Sequence, residues 1–158
     1  MPLDLLRSPN FPIYFFLFGM TILALKSWRN YIRLRADGGE VRPIAPTDAI
    51  FAESGASGHS EKSVMTRIGG ASRCLLVWAS RTELSIQTTF PFSVITYDYN
   101  NDLRHRIPLR NIRSVERRAN STVRIAFVDT EGVTHSLVLK LNRPDGLIAA
   151  LKSHERHE

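Results

Sequence analysis

Residues 11–25, FPIYFFLFGMTILAL, contain no charged side chain, and the following KSWRNYIRLR carries four basic ones. On a helix, Phe11, Ile13, Phe15, Phe16, Leu17, Phe18, Ile22, Leu23 and Leu25 point in every direction. No polar stripe is left to face water, which argues against the surface helix of a soluble domain. An export signal would place basic residues ahead of its apolar stretch and small ones behind it. Here MPLDLLRSPN sets Asp4 against Arg7, and ALKSWRNY is bulky and charged. We therefore read a short segment 1–10 and a transmembrane helix over 11–28, with an interfacial helix or uncleaved signal as the competing reading. The strict apolar run is shorter than the roughly 20 residues that a bilayer core needs. Aromatic rings at headgroup level and snorkelling cations make up the difference. The candidate membrane-interface anchors are Lys26, Trp28, Arg29, Tyr31, Arg33 and Arg35.

Basic residues set the expected orientation. Only Arg7 precedes the span, whereas Lys26, Arg29, Arg33, Arg35 and Arg42 follow it. The positive-inside rule then places the C-terminal part in the cytoplasm, as a single-pass protein of the inner (plasma) membrane. Residues 29–45 read as a basic juxtamembrane linker, each cation worth about 1 kcal/mol against anionic headgroups.

Residues 46–158 have the size of one domain with one core. Basic residues outnumber acidic ones by six to three in residues 1–45 and by fifteen to twelve in 46–158. The domain is thus only mildly basic, and nucleic acid is not the expected partner. A single cysteine, Cys74, excludes an intramolecular disulfide and a multi-cysteine metal site, and its apolar setting marks it as a small core residue.

Beyond the linker the apolar period becomes two. ASRCLLVWAS is apolar on both faces, as in a strand covered on both sides, and RTELSIQTTF alternates after a tight turn. STVRIAFVDTEGVTHSLVLKL gives a second hairpin, with Val123, Ile125 and Phe127 pointing one way, DTEG at the turn and Leu137, Leu139 and Leu141 lining the returning strand. NRPDGLIAALKSH reads as a short amphipathic helix, with Asn142 as cap, Pro144 in the first turn and Leu147, Ile148 and Leu151 on one stripe. Pro108 puts LRHRIPLRNIRSVERR at a sheet edge or bend. DAIFAES is expected to open the sheet and SGASGHSEKS to form a polar loop.

This order of elements resembles a bacterial pleckstrin-homology-like (PH-like, GRAM-like) domain. The resemblance is carried by CLLVWASRTELSIQTTFPF, the Ile107, Leu109, Ile112 and Val115 cluster, VRIAFVDTEGVTHSLVLKL and PDGLIAAL, and covers residues 46–153. It implies an α+β, mainly β fold: a bent, partly open antiparallel barrel of about seven strands, capped by the C-terminal helix. It also implies binding of lipids, peptides or proteins rather than catalysis. Eukaryotic lipid-binding members carry a dense Lys/Arg loop between the first two strands. Here that region offers only His59, Lys62 and Arg67 beside Glu61, so phosphoinositide recognition is not expected.

The densest charge lies in residues 104–118, where Arg104, Arg106, Arg110, Arg113, Arg117 and Arg118 face one acid, Glu116. Such a patch is either a partner or lipid face or an edge kept soluble by charge. Phe90, Phe92, Tyr97 and Tyr99 form a second candidate, although Phe90 and Phe92 are expected to close the bottom of the barrel. The five histidines are scattered, HERH lacks the spacing of a zinc helix, and neither a nucleophile elbow nor a nucleotide-binding fingerprint occurs. No catalytic residue, metal site or cofactor is expected. The expected function is a non-catalytic, membrane-tethered interaction module that presents its domain to a protein partner. The alternative is a domain that itself binds anionic lipid, with the anchor adding avidity.

Overall fold

A computed structural model describes residues 10–61, 70–97 and 104–155. The first element, α1, is a helix over Phe11–Ala36. It is long and apolar enough to cross a membrane, with a mean hydropathy of 1.4 over its most apolar window and no residue of that window buried. The helix continues past Trp28 into the segment read from the sequence as linker. Residues 26–36 explain why: they hold good helix formers and neither Gly nor Pro. The helix ends where Gly38 turns to positive φ and the amide of Asp37 donates to the carbonyl of Arg33.

Seven antiparallel strands follow: β1 Phe51–Ser60, β2 Ala71–Ala79, β3 Glu83–Thr88, β4 His105–Pro108, β5 Ile112–Ala119, β6 Thr122–Val128 and β7 Thr134–Lys140. Their order in one open sheet is β4-β3-β2-β1-β7-β6-β5. A second helix, α2, covers Phe92–Ile95, and a third, α3, covers Pro144–Glu155. The class is α+β and mainly β. Both hairpins expected from alternation are present, with Val77 opposite Ile86 and Ile125 opposite Leu137. Leu76 and Trp78 are buried on the outer face of β2 while Leu75 and Val77 enter the core, so this strand is covered on both sides. Pro108 ends the edge strand β4, a 3-10 turn spans Leu109–Asn111, and β5 forms the opposite edge. Proline fits there because no neighbouring strand asks it for an amide hydrogen.

The sheet curls strongly. His105 on β4 stacks edge-on against Phe127 on β6, with ring centroids 5.1 Å apart, although the two strands stand far apart in the order. The side-chain amide of Asn111 donates to the carbonyl of Val128 at 3.2 Å, tying the turn between the two edges to the end of β6. Inside the curl lie Leu75, Val77, Leu84, Ile86, Val123, Ile125, Leu137 and Leu139, all fully buried.

The expectation of a polar loop is corrected. The stretch read as a polar loop, from Ser54 to Ser60, lies within β1, the middle strand of the sheet; Lys62 and Arg67 lie outside the described residues. Its small residues are what the position requires. β1 pairs with β2 from Phe51 to Gly58, with register shifts on either side of Ala56, and Ser57–Ser60 pair with β7. Gly55 takes φ +80 at that bend, a conformation costly for any residue with a Cβ. At Gly58 a Cβ would stand 2.9 Å from the carbonyl oxygen of Val138 and 2.8 Å from Leu139.

Helix α3 packs Leu147, Ala150 and Leu151 into the core and touches β1, β2 and β5. Its N-terminal end is held by an unexpected group. The carboxylate of Glu53, buried on β1, accepts from the backbone amides of Asn142 at 2.6 Å and Arg143 at 2.9 Å. Asn142 thus presents its backbone amide to this carboxylate, which satisfies donors at a helix start and complements the helix dipole. The Arg143 guanidinium donates to the carbonyl of Ala52 and lies over the ring of Phe51.

Substituting Gly58→Val should destabilise the full-length protein by about 1–3 kcal/mol through overpacking, seen as a lower thermal midpoint in detergent. An unchanged midpoint would contradict the tight β1–β7 approach.

Candidate functional site

The end of α1 is packed against the sheet domain. Asn30 and Leu34, one turn apart, are fully buried. The Asn30 side-chain amide donates to the carbonyl of Val94 in α2 at 3.0 Å. The chain then folds back over the outer face of β3 and β4. Ser93 donates to the carbonyl of Val41 at 2.8 Å, Arg106 pairs with Glu40 at 3.2 Å, and the Tyr97 phenol donates to the Asp37 carboxylate. That last bond keeps the phenol protonated to higher pH than usual, because ionisation would set two anions against each other.

All six candidate interface anchors lie on this continuous helix. Trp28 stacks on Tyr31 with centroids 5.9 Å apart, and the Arg35 guanidinium lies 5.4 Å over the same Tyr31 ring. Arg42 lies 4.9 Å over Phe90. Phe90 and Phe92 do not close the base of the sheet as the sequence reading expected. They are 49% and 44% exposed, because β3 ends at Thr88 and the chain turns away into α2. Two large apolar rings therefore flank the junction on its solvent side.

The six arginines of residues 104–118 do not share one environment. Arg104 lies over the Tyr97 ring at 5.2 Å, and Arg106 is paired with Glu40. Arg117 crosses to Asp145 at the start of α3 and donates to the carbonyl of Asn120. Arg118 approaches Glu61 at 3.7 Å, where Arg124 of β6 is already bound at 2.9 Å. Arg110, in the 3-10 turn, and Arg113, near the start of β5, are exposed and pair with no carboxylate among the described residues. Register explains the division. Arg117 sits opposite Val123 and shares its side of the sheet with Val115, whereas Glu116 stands opposite Arg124 on the other side. Alternation along β5 sends neighbouring charges to opposite faces.

Asp129, His135, Phe127 and His105 make up a polar and aromatic cluster at the β6–β7 turn. Asp129 accepts from the amides of Glu131 at 2.8 Å and Val133 at 2.9 Å, and its second oxygen lies 2.6 Å from His135 Nε2. These bonds hold the pKa of the carboxyl below its ordinary value, the His135 bond contributing most. The arrangement organises the turn. Among the described residues no group of three His, Cys, Asp or Glu side chains gathers to hold a metal ion. Cys74 is buried, and burial raises its thiol pKa.

Sequence reasoning missed Asn30, Leu34 and Glu53. For the first two a signal was available: at i and i+4, they lie on the helix side opposite to Trp28 and Ile32. For Glu53 there was none, since its partners lie about ninety positions away. No family model matches the chain, and no curated protein matches it.

Substituting Asn30→Ala leaves the Val94 carbonyl buried without its donor, a loss of about 1–3 kcal/mol. Amide hydrogen exchange in residues 92–97 of the full-length protein should rise; unchanged protection would mean that the helix end is not docked by this bond. A second prediction concerns pH. Because the Asp129 carboxyl titrates lower in the folded chain than in the unfolded one, its contribution is complete above the ordinary carboxylate value near ~3.9. It is lost as pH falls through the lower, folded value. The Val133 amide resonance should report that titration, and in Asp129→Asn the acid-dependent step should disappear.

Proposed function

We propose that this chain is a single-pass protein of the inner (plasma) membrane whose cytoplasmic domain is a non-catalytic, PH-like module for binding a protein partner. The observation that carries the reading is the continuity of α1. One helix supplies an exposed apolar stretch of membrane-spanning length and then buries Asn30 and Leu34 against the domain. Such a junction holds a domain at a chosen height and orientation, which a flexible tether does not. The strand order β4-β3-β2-β1-β7-β6-β5, with a helix over the curl, supports the PH-like reading. The basic residues that follow the apolar run support the orientation.

The partner surface we assign is the exposed end of β5 with the turn before it. It carries Arg110 and Arg113, whose charges are not used within the described domain, on an edge of β5 that pairs with no other strand among the described residues. A free edge with unpaired cations suits an acidic extended segment, which adds backbone hydrogen bonds and meets the guanidinium groups.

Two measurements test this. In a Cys74→Ser background, a cysteine placed at exposed Arg81 should react with a membrane-impermeant reagent only in inside-out vesicles; reaction only in right-side-out vesicles reverses the orientation. A photocrosslinker at position 113 of the full-length chain in native membranes should give a discrete protein adduct that Arg110→Glu abolishes. Adducts to lipid alone would favour the lipid-binding alternative.

A further inference from the structure

Between the end of α1 and the segment that folds back from it lies an open cavity of about 570 Å³, lined by Tyr31, Arg35, Glu40, Arg42 and Phe90 among others. Its cations are held by aromatic rings rather than by acids. Arg35 lies over Tyr31 and Arg42 over Phe90, and neither pairs with a carboxylate among the described residues. The one lining acid, Glu40, is engaged by Arg106 at 3.2 Å. Two guanidinium groups on one cavity, with the local acid neutralised, present a binding place for an anion.

The height of the cavity identifies the source of that anion. Counting the roughly 20 residues of a bilayer core from Phe11 brings the hydrocarbon boundary to about Asn30. At about 1.5 Å per residue, Arg35 stands some 7 Å beyond it, at headgroup level. Leu25, Trp28, Ile32 and Arg35 fall on one side of the helix, opposite to Asn30 and Leu34. Leu25, Trp28 and Ile32 are all more than half exposed. An apolar strip therefore runs along the helix up to the cavity, with the exposed ring of Phe90 at its mouth.

We infer that this cavity is a headgroup site for an anionic phospholipid of the leaflet next to the domain. Arg35 and Arg42 bind its phosphate, and its acyl chains lie along Leu25, Trp28 and Ile32. The site rests on the proposed membrane-spanning role of α1. It differs in residues and place from the arginine edge of β5, and it makes the bound lipid part of the surface on which the domain is seated.

The test uses the full-length chain in vesicles of phosphatidylcholine with a minor fraction of phosphatidylglycerol, with Trp78→Phe leaving Trp28 as the one tryptophan. Brominated acyl chains are placed on either the anionic or the zwitterionic lipid, and quenching of Trp28 is compared. Two arginines at headgroup level should enrich the anionic lipid at the site on the order of tenfold, so brominated phosphatidylglycerol should quench far more per molecule. Arg35→Gln with Arg42→Gln should remove the difference, and Arg81→Gln with Lys140→Gln, which deletes as much charge elsewhere, should retain it. Should the double variant fail to fold by circular dichroism, the single change Arg42→Glu, at an exposed position beyond the helix, should still reduce the preference severalfold.

Equal quenching by both lipids in the parent protein overturns the site while leaving the anchor intact. Absence of quenching by either lipid overturns the anchor, and the site with it. A preference that survives in a folded double variant assigns it to the general basic field of the helix end and overturns the site. Inorganic phosphate, compared with chloride at matched ionic strength, should leave the preference unchanged; its loss in phosphate alone would mean a site for a soluble anion instead.

Discussion

The sheet exists because β1 can belong to two partners at once. A strand that pairs with β2 from Phe51 to Gly58 and takes on β7 from Ser57 to Ser60 must bend near the point where the second partner joins, and must let β7 come close. Gly55 supplies the bend and Gly58 the approach. Without that strand the β2–β3–β4 and β5–β6–β7 meanders would be two separate small sheets, each with an apolar face and no cover. With it they curl around one core, bring His105 onto Phe127, and leave a mouth that α3 covers.

The same strand reaches the helix as well. Glu53 projects from β1 to two amides at the start of α3. A buried carboxylate is tolerated because both oxygens are bonded to donors that no other group satisfies. The position of α3 is thereby referenced to the centre of the sheet rather than to the loop from which it grows. The Arg117–Asp145 pair on the far side of α3 is exposed and contributes little by comparison.

At the other pole, Asn30 and Leu34 turn a membrane-length helix into a mount. Burial of Leu34 contributes about 2 kcal/mol, and the bond from Asn30 gives the contact direction as well as energy. Residues 37–42 are drawn over β3 and β4 as a result, and this creates the cavity beside Arg35 and Arg42. The exposed rings of Phe90 and Phe92 lie at the same pole, so apolar surface, cations and helix end converge on one side of the domain.

Local pattern made much of this legible. The all-round apolar run from Phe11, the two-sided apolar run of β2 and the alternation in β3, β6 and β7 are visible because such patterns are properties of neighbouring residues. So is the amphipathic stripe of α3, and Pro108 announces an edge. The glycine-rich part of β1, from Ser54 on, reads locally as a loop, because small residues signal turns in the chain and close packing only in three dimensions. Six arginines looked like one patch in the chain, yet strand alternation and distant acids at Glu40, Glu61 and Asp145 divide them. The chain order alone thus dictates which segments are apolar, where they alternate and which end is basic. Tertiary structure decides which strand is central, which charges stay unpaired and what the helix end touches, since those depend on partners tens of residues away.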